Sequence, residues 1–436
     1  MSRRSPEIVF VCPGRYSVGE LYNAIVMSRS LEADGMKTKF IVTEQLAGYA
    51  RGSGADVIVR PMRRNRGADV VDSIDQLAPD LTILADYHLP SLEPGAADLQ
   101  SLISPASPTV MLDSLGFGLR GADVSNALAS LPGAEALRRW FTPTTQIPQA
   151  QDPDALLHPV PVAGPDASNA FALYDSVPEA SNDRGSVRDR FGITPGHALV
   201  VVAQSAWAAT GFTQLGRTRG NQLSKSYDDL RIDWILYCLS LVGVPIAVVG
   251  VRRDAATRSQ YPNVSLVHTP FLNLDDFSDL LGAADLYLTD NLLSAAMGRA
   301  SLLGTPCLAL VHEGADNIKP TTEFEAAWHA EMAALFPGYD FPYLVNPFGW
   351  VSEVGTMMPG NNYLQSVPRA DVFDPEGLAE AVGRQLSTSP DVLPSAVLRQ
   401  LSTSMAGPAE IVRRALDTRS SLTPYANPQN GNNDNA

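Results

Sequence analysis

The most specific stretch of this chain is Gly282–Val311, GAADLYLTDNLLSAAMGRASLLGTPCLALV. It contains the short apolar strand Leu286–Leu288, a polar turn, a helix that begins near Ser294, and the apolar strand Cys307–Val311 after the turn Gly304–Pro306. A strand, a helix and a second apolar strand in this order are typical of a right-handed crossover between parallel strands. The segment therefore predicts a parallel sheet covered by helices.

The same alternation of strands and helices occurs in two separate series. The first begins with the strand Ile8–Val11 and the second with the strongly apolar segment His197–Ala203. Between them the pattern fails over a proline-rich stretch, and 436 residues are too many for one ordinary core. We therefore expect an α/β fold of two Rossmann-like domains with a cleft between them. The expected parts are an N-terminal domain at 1–141, a connection at 142–195, a C-terminal domain at 196–419 and a disordered polar tail at 420–436.

Composition and charge exclude several classes of function. The net charge of −15 argues against nucleic acid as the main partner, because a phosphate backbone demands a basic surface. No apolar run approaches the roughly 18–20 residues that a membrane helix needs, and the first apolar run reads as a strand rather than a signal peptide. The three cysteines lie far apart and two of them fall in apolar strand-like runs. An odd number in this setting indicates buried, reduced thiols, and the cysteines match no metal spacing. We expect a cytoplasmic protein without membrane insertion, metal or cofactor.

The quoted stretch resembles the C-terminal donor site of the GT-B glycosyltransferases, in which a strand reading "aaDlvit" precedes a small-residue loop, a helix and "G-[TV]-P-x-l". The resemblance implies a GT-B type fold and a nucleotide-sugar whose diphosphate sits at the N-terminus of the helix. Unpaired N–H groups and the positive end of the helix dipole point to that place. The matching donor-binding positions are Asn291, Leu292, Leu293 and Ser294.

Two features of this stretch depart from the family's pattern. The loop glycines of many relatives are replaced by Asp290, Asn291 and Leu292, and the helical glutamate that holds the ribose is replaced by Arg299. Arginine is only a hydrogen-bond donor, so it cannot accept a bond from ribose hydroxyls, but it could pair bidentately with a phosphate. The alternative is an ordinary strand–helix–strand segment of another Rossmann protein.

Other segments of the second half are similar to further parts of the donor site. The resemblance implies that Asp316 and Asn317, which follow the strand Cys307–Val311, bind hydroxyls of the donor sugar. The resemblance also implies that the main chain around His268 contacts the nucleobase of the donor. The hydroxyl of Ser205, at the end of the first strand of the second series, could reach a phosphate. Alternatively, Asp316 and Asn317 are only a solvated pair in a loop. His268 is then only a neighbour of the nucleobase and makes no side-chain contact with it.

The N-terminal loop Cys12–Leu21 looks like the acceptor-side "GxxGH" turn of the family, with Glu20 where a histidine base often stands. A carboxylate in a partly desolvated cleft can have its pKa raised enough to accept the proton of an acceptor hydroxyl. Alternatively, Glu20 is only an acidic first-turn residue favoured by the helix dipole. His88 and Asp113, which follow later strands, are the competing catalytic residues, and Asp86 stands close to His88 to orient it.

The resemblance implies a glycosyltransferase that moves a sugar from a nucleotide-diphosphate donor to a small-molecule acceptor, with the nucleotide-sugar as a co-substrate. Two alternatives stay open: another GT-B enzyme such as a nucleotide-sugar 2-epimerase, and a catalytically inactive accessory protein. A dehydrogenase is disfavoured, because the first strand of each series lacks a following G-x-G-x-x-G turn, which binds a dinucleotide. Assembly into a homo-oligomer is also left open.

Overall fold

A computed structural model shows two parallel sheets, of 7 and 6 strands, each with helices interleaved between its strands. These sheets confirm the predicted α/β fold of two Rossmann-like units. The residues that the structure describes are 4–15, 17–62, 67–88, 90, 96–123, 146–161, 163–164, 167–175, 180, 182–203, 226–251, 259–269, 272–311, 319–335, 360–387 and 393–420.

The first sheet is built from the N-terminal part of the chain. Its strands are β1 (Glu7–Cys12), β2 (Lys37–Val42), β3 (Val57–Val59), β4 (Leu81–Leu84), β5 (Thr109–Leu112), β8 (Leu156–Val160) and β9 (Ala170–Ala172), and a separate antiparallel pair is formed by β6 (Ala122–Asp123) and β7 (Gln146–Ile147). The order across the sheet is β3-β2-β1-β4-β5-β8-β9. The helices are α1 (Val18–Ala33), α2 (Glu44–Gly52), α3 (Gly67–Leu77), α4 (Phe117–Arg120) and α5 (Arg184–Arg190), with 3₁₀ turns at Leu99–Leu102 and Pro153–Ala155.

The second sheet has the same plan. Its strands are β10 (Ala198–Ala203), β11 (Ile246–Val251), β12 (Val264–Thr269), β13 (Leu286–Thr289), β14 (Cys307–Val311) and β15 (Arg369–Asp371), in the order β12-β11-β10-β13-β14-β15. The helices are α6 (Tyr227–Ser240), α7 (Leu274–Ala283), α8 (Ala295–Leu302), α9 (Glu323–Leu335), α10 (Asn362–Ser366), α11 (Pro375–Ser387), α12 (Leu393–Ser404) and α13 (Pro408–Ser420). The strand–helix–strand segment β13-α8-β14 is the one predicted from Gly282–Val311.

The central strands are buried on both faces. In β1, the run EIVFVC is apolar almost throughout, as expected for a parallel strand covered by helices on both sides. Because successive side chains alternate between faces, Val9 and Val11 belong to one buried cluster and Ile8 and Phe10 to the other. The second of these clusters also contains Tyr287 of the second sheet, so one apolar core continues from one unit into the other.

The stretch 142–195 differs from the sequence expectation of an unpacked connection. Its segments β8 and β9 extend the first sheet beyond β5, and α5 packs against α7 of the second unit. These strands were not predicted because prolines within a run of residues argue against a strand. Pro159 is tolerated in β8 although it pairs with Phe171 of β9. The N–H of the preceding His158 donates toward β9, so position 159 faces β5, with which β8 pairs only at Leu156 and Leu157, and the missing N–H breaks no bond of either ladder. The expected domain limits stay a prediction.

The C-terminal helices return to the first unit. Helix α13 packs on α1 and on β9, the Ala172 N–H donates to the Ala406 carbonyl at 2.9 Å, and Arg413 pairs with Asp34. The expected disordered tail lies outside the described residues apart from Ser420, the last residue of α13. None of the helices in the described ranges is long and apolar enough to cross a bilayer.

Candidate functional site

The carboxyl ends of β1, β4 and β5 meet at one edge of the first sheet. In this sheet the strand order reverses between β1 and β4, which is where α/β proteins bind ligands. Asp86 comes just after β4, Asp113 just after β5, and Glu20 lies in the first turn of α1, which follows β1. We call these three acidic residues the carboxylate cluster.

Glu20 is the partly exposed member of the carboxylate cluster. Its Oε2 accepts a hydrogen bond from the Ser114 hydroxyl at 2.9 Å and another from Asn23 Nδ2 at 3.4 Å. Burial, followed by the negative charge of Asp86, raises the pKa of Glu20 to about 8, although the two hydrogen bonds act in the opposite direction. A carboxyl group with this pKa is suited to proton transfer near neutral pH.

Asp86 is almost fully buried and anchors the loop between β1 and α1. Its Oδ2 accepts a hydrogen bond from the Ser17 hydroxyl, and its Oδ1 accepts one from the His88 main-chain N–H at 3.2 Å. Gly14 makes this approach possible, because a Cβ at that position would lie 1.8 Å from Ser17 Oγ and 3.0 Å from Asp86 Oδ2. The loop is therefore shaped around the Asp86 carboxylate.

His88, the competing base, lies close to Asp86 as the sequence suggested. Its Nδ1 is 3.6 Å from Asp86 Oδ1, and its ring is packed 6.0 Å from the ring of Phe117. Burial lowers the pKa of His88 to about 4, while the charge of Asp113 acts in the opposite direction. The imidazole is neutral at physiological pH and is a weak proton acceptor.

Asp113 makes a capping arrangement at the start of α4. Its Oδ1 accepts from the Phe117 N–H at 3.0 Å and its Oδ2 from the Gly118 N–H at 2.8 Å, and the residue is fully buried. His158 Nδ1 donates to the Asp113 carbonyl at 2.9 Å. Burial raises the pKa of the Asp113 carboxyl, against the opposing effect of His158. Because both carboxylate oxygens are engaged by main-chain donors, the geometry favours a structural and electrostatic role.

The loop before α8 is held mainly by its own hydrogen bonds. The Asn291 N–H donates to Thr289 Oγ1 at 3.1 Å, the Leu293 N–H to Asn291 Oδ1 at 3.1 Å, and the Ser294 N–H to the Asn291 carbonyl at 3.0 Å. Leu292 is buried in the core. These contacts bring Asn291, Leu292, Leu293 and Ser294 to the start of the helix, as predicted, but they engage three of the four N–H groups expected to face a diphosphate.

The N-terminus of α8 retains open donors. Ser294 is the N-cap residue, yet its side chain makes no capping bond, and its Oγ lies 3.5 Å from the Tyr287 hydroxyl. The N–H groups of Ala295 and Ala296, in the first turn, have no partner among the described residues. Open N–H groups and the positive end of the helix dipole are the features that favour an anion at a helix N-terminus.

Arg299 lies in the buried junction between the two units. Its Nε donates to Ser278 Oγ at 2.6 Å, and its guanidinium lies 5.9 Å from the centre of the Tyr174 ring. Only 7% of the residue is exposed, and its charge also acts on Tyr22 of α1. Helices α1 and α8 contact each other here. In this arrangement Arg299 stabilises the junction.

The remaining predicted donor residues are placed as follows. His268 is the penultimate residue of β12, opposite Gly250 of β11, and is partly exposed. Ser205, Asp316 and Asn317 lie outside the described residues. Within the described ranges, no group of three or more histidine, cysteine or acidic residues could hold a metal ion.

Sequence reasoning missed several residues that shape these sites. Ser114 and Ser17 bind the carboxylate cluster, and Arg231 forms a buried ion pair of 2.8 Å with Asp290 at the end of β13. Ser114 could have been noticed, since it follows Asp113 directly at a strand end. Nothing in the sequence marked Ser17 or Arg231, because their partners lie 69 and 59 residues away.

The chain is similar to one protein family and to several solved structures. A profile of the family described as "Family of unknown function (DUF6365)" matches residues 27–397, and no curated protein matches the chain. Among solved structures, the spinosyn forosaminyltransferase SpnP is 13% identical with a TM-score of 0.52, over 96% of this chain and 100% of that chain. Glycosyltransferase SnogD from Streptomyces nogalater is 15% identical with a TM-score of 0.44, over 96% and 99% of the two chains.

A third solved structure is a putative UDP-N-acetylglucosamine 2-epimerase from Listeria monocytogenes. It is 10% identical with a TM-score of 0.45, over 96% of each chain. The likeness to SpnP, together with the two sheets, shows that the chain has a divergent GT-B-like fold.

Proposed function

We propose that this chain, which belongs to the family of unknown function DUF6365, moves a sugar from a nucleoside-diphosphate donor to a hydroxyl group of a small-molecule acceptor. The observation that carries the proposal is the contact between α1 and α8. Helix α1 begins at the carboxylate cluster, and α8 begins with the open N–H groups of Ala295 and Ala296. A proton acceptor and an anion-binding helix end therefore belong to two helices that meet at one junction between the units.

Glu20 is the general base in this proposal. Its carboxylate takes the proton of the acceptor hydroxyl while the acceptor oxygen bonds to the anomeric carbon of the donor sugar. The bond between that carbon and the diphosphate oxygen breaks, and the nucleoside diphosphate leaves with the electron pair. The raised pKa of Glu20 supports this role, because a stronger base accepts the proton more readily than an ordinary carboxylate.

The start of α8 stabilises the leaving diphosphate in the same scheme. Its open N–H groups and the positive end of the helix dipole favour the negative charge that develops as the bond breaks. The net charge of −15 does not oppose this, since a single diphosphate can be held by main-chain donors without a basic surface. Contacts from His268, Ser205, Asp316 and Asn317 to the donor are part of the proposal.

The first experiment separates diphosphate binding from nucleoside binding. Ser294→Glu places a negative charge at the start of α8, where it also favours the helix, so the variant should fold. We expect calorimetry to show that UDP and TDP bind at least about tenfold more weakly, since like charges repel, whereas uridine and thymidine change little. Ser294→Gln, of similar size but neutral, is the matched control. Equal loss of both ligand classes, or of neither, would contradict the placement of the diphosphate.

Turnover is then measured as release of UDP, TDP or GDP from their sugar conjugates, with and without a panel of phenolic and aliphatic alcohols. Release that depends on an alcohol supports the transferase. Conversion of the donor sugar to its epimer without any alcohol and without net release of the nucleoside diphosphate, followed by NMR, would instead indicate an epimerase-like enzyme, and binding without turnover would indicate an accessory protein.

A further inference from the structure

We infer that Ser114 is the positioning residue of this site: it holds Oε2 of Glu20 so that Oε1 is the atom that receives the acceptor's proton. This inference rests on the proposed function and adds to it the atom that reacts and the residue that orients it. The geometry that carries it is the distribution of donors over the two oxygens of Glu20.

Both hydrogen bonds to the Glu20 side chain end on the same oxygen. The Ser114 hydroxyl lies 2.9 Å from Oε2 and Asn23 Nδ2 lies 3.4 Å from it, while Oε1 has no partner among the described residues. Ser114 and Asn23 are almost fully buried, whereas Glu20 is partly exposed. The carboxylate is therefore fixed from its buried side, and the oxygen without a partner is left for a substrate.

The two donors come from different elements of the fold. Ser114 lies two residues after the fully buried strand β5, next to Asp113, whose main-chain N–H donates to the Leu157 carbonyl of β8 at 2.9 Å. Asn23 lies one turn beyond Glu20 on the same helix and makes the longer bond. Because Ser114 is anchored outside α1, it sets the position of the carboxylate relative to the sheet.

Ser114 acts on Glu20 without transferring a proton itself. An ionised carboxylate only accepts hydrogen bonds, so Ser114 keeps its proton and donates to Oε2 before and after Oε1 is protonated. The charged or titratable groups facing Glu20 are Asp86 after β4, Asp113 after β5 and the Cys12 thiol of β1. The Ser114 bond stabilises the ionised form of Glu20, whereas the charge of Asp86 destabilises it.

These opposite effects define the test. We expect Ser114→Ala to raise the pKa of Glu20 and Asp86→Asn to lower it, as measured by titrating the ¹³C-labelled glutamate carboxyl signals, with Glu20→Gln assigning the resonance. In turnover, the acid limb of kcat/KM should move in the same two directions. Ser114→Ala should also lower kcat by about tenfold, because the carboxylate is no longer oriented. Ser114→Thr, which keeps the hydroxyl, should restore most of the activity.

The matched control is Ser107→Ala. Ser107 is also buried, and it contacts Thr82 Oγ1 at 3.0 Å near the opposite end of β4 and β5. This variant should lose stability as Ser114→Ala does but keep the pKa of Glu20 and the pH profile. Equal behaviour of the two alanine variants, or no recovery in a folded Ser114→Thr, would overturn the positioning role. If no turnover is found, the proposed function is contradicted. The role of Ser114 is still tested in that case, because the pKa of Glu20 in Ser114→Ala is measured without turnover.

Discussion

Burial acts on the two candidate bases in opposite directions. It raises the pKa of the Glu20 carboxyl to about 8 and lowers the pKa of the His88 imidazole to about 4, since in each case the neutral form is favoured. Near neutral pH, Glu20 is therefore poised to exchange a proton, whereas His88 is a poor acceptor. This difference ranks Glu20 first among the residues of the site.

Replacing each candidate base tests this ranking. We expect Glu20→Gln to lower kcat by a factor on the order of 10² or more, with little change in donor affinity, because the amide cannot accept the proton. His88→Asn, which keeps a polar group in the buried position, should cost less than about tenfold. Steady-state kinetics with a transferred sugar is the measurement. A large defect in His88→Asn beside a near-normal Glu20→Gln would assign the base to His88.

The same pKa shift predicts how stability depends on pH. Between the ordinary value of 4.5 and about 8, the unfolded chain loses the Glu20 proton while the folded protein keeps it. The contribution of Glu20 to the free energy of unfolding therefore falls as the pH rises through this interval. In Glu20→Gln that part of the slope should disappear in urea unfolding measured from pH 5 to 9. Glu44→Gln, at an exposed position in the first turn of α2, should keep the wild-type slope.

At the scale of elements, the turn between β1 and α1 depends on one glycine. Gly14 brings the main chain against the Ser17 hydroxyl and the Asp86 carboxylate, with no room for a Cβ. This turn determines where α1 starts, and therefore where Glu20 lies. Gly19, in the first turn of α1, has no heavy atom within 4 Å of a Cβ placed there.

These two glycines form a matched pair for substitution. Gly14→Ala should destabilise the protein by about 1–3 kcal/mol and lower activity, because Ser17 must move away from Asp86. Gly19→Ala should be neutral or stabilise by up to about 1 kcal/mol, since alanine favours a helix. Thermal unfolding and turnover of both variants give the comparison. A neutral Gly14→Ala would show that the turn adapts without the Ser17–Asp86 bond.

At the scale of the whole molecule, α1 ties the two units together. The Tyr22 hydroxyl donates to the Leu272 carbonyl at 2.6 Å, and Arg29 pairs with both oxygens of Asp275 at 2.6 and 2.8 Å. Leu272 follows β12, and the sequence predicts that the end of this strand contacts the nucleobase of the donor. The helix that carries Glu20 is therefore bonded to the second unit.

A double-mutant cycle measures this tie. We expect Arg29→Ala and Asp275→Ala to show a coupling energy of about 0.5–1 kcal/mol in urea unfolding, reduced at high salt. The value is modest because the side chains are 40% and 49% exposed. The control is the ion pair between Arg414 and Glu410, because both residues belong to α13 and the pair does not cross the junction. A coupling near zero for Arg29 and Asp275 would show that the pair does not stabilise the junction.

The class of fold and the candidate positions at strand ends could be predicted from the sequence. Apolar runs, helix periodicity and turn residues are local signals, so they predicted two series of parallel strands and placed Glu20, Asp86 and Asp113 near carboxyl ends. Which side chains meet could not be predicted, because it depends on the three-dimensional packing of the elements. The bond from Ser114 to Glu20 joins residues 94 positions apart, and the contact of Arg299 with Ser278 depends on how two helices pack. Such contacts follow from strand order and helix docking, which no short-range pattern encodes.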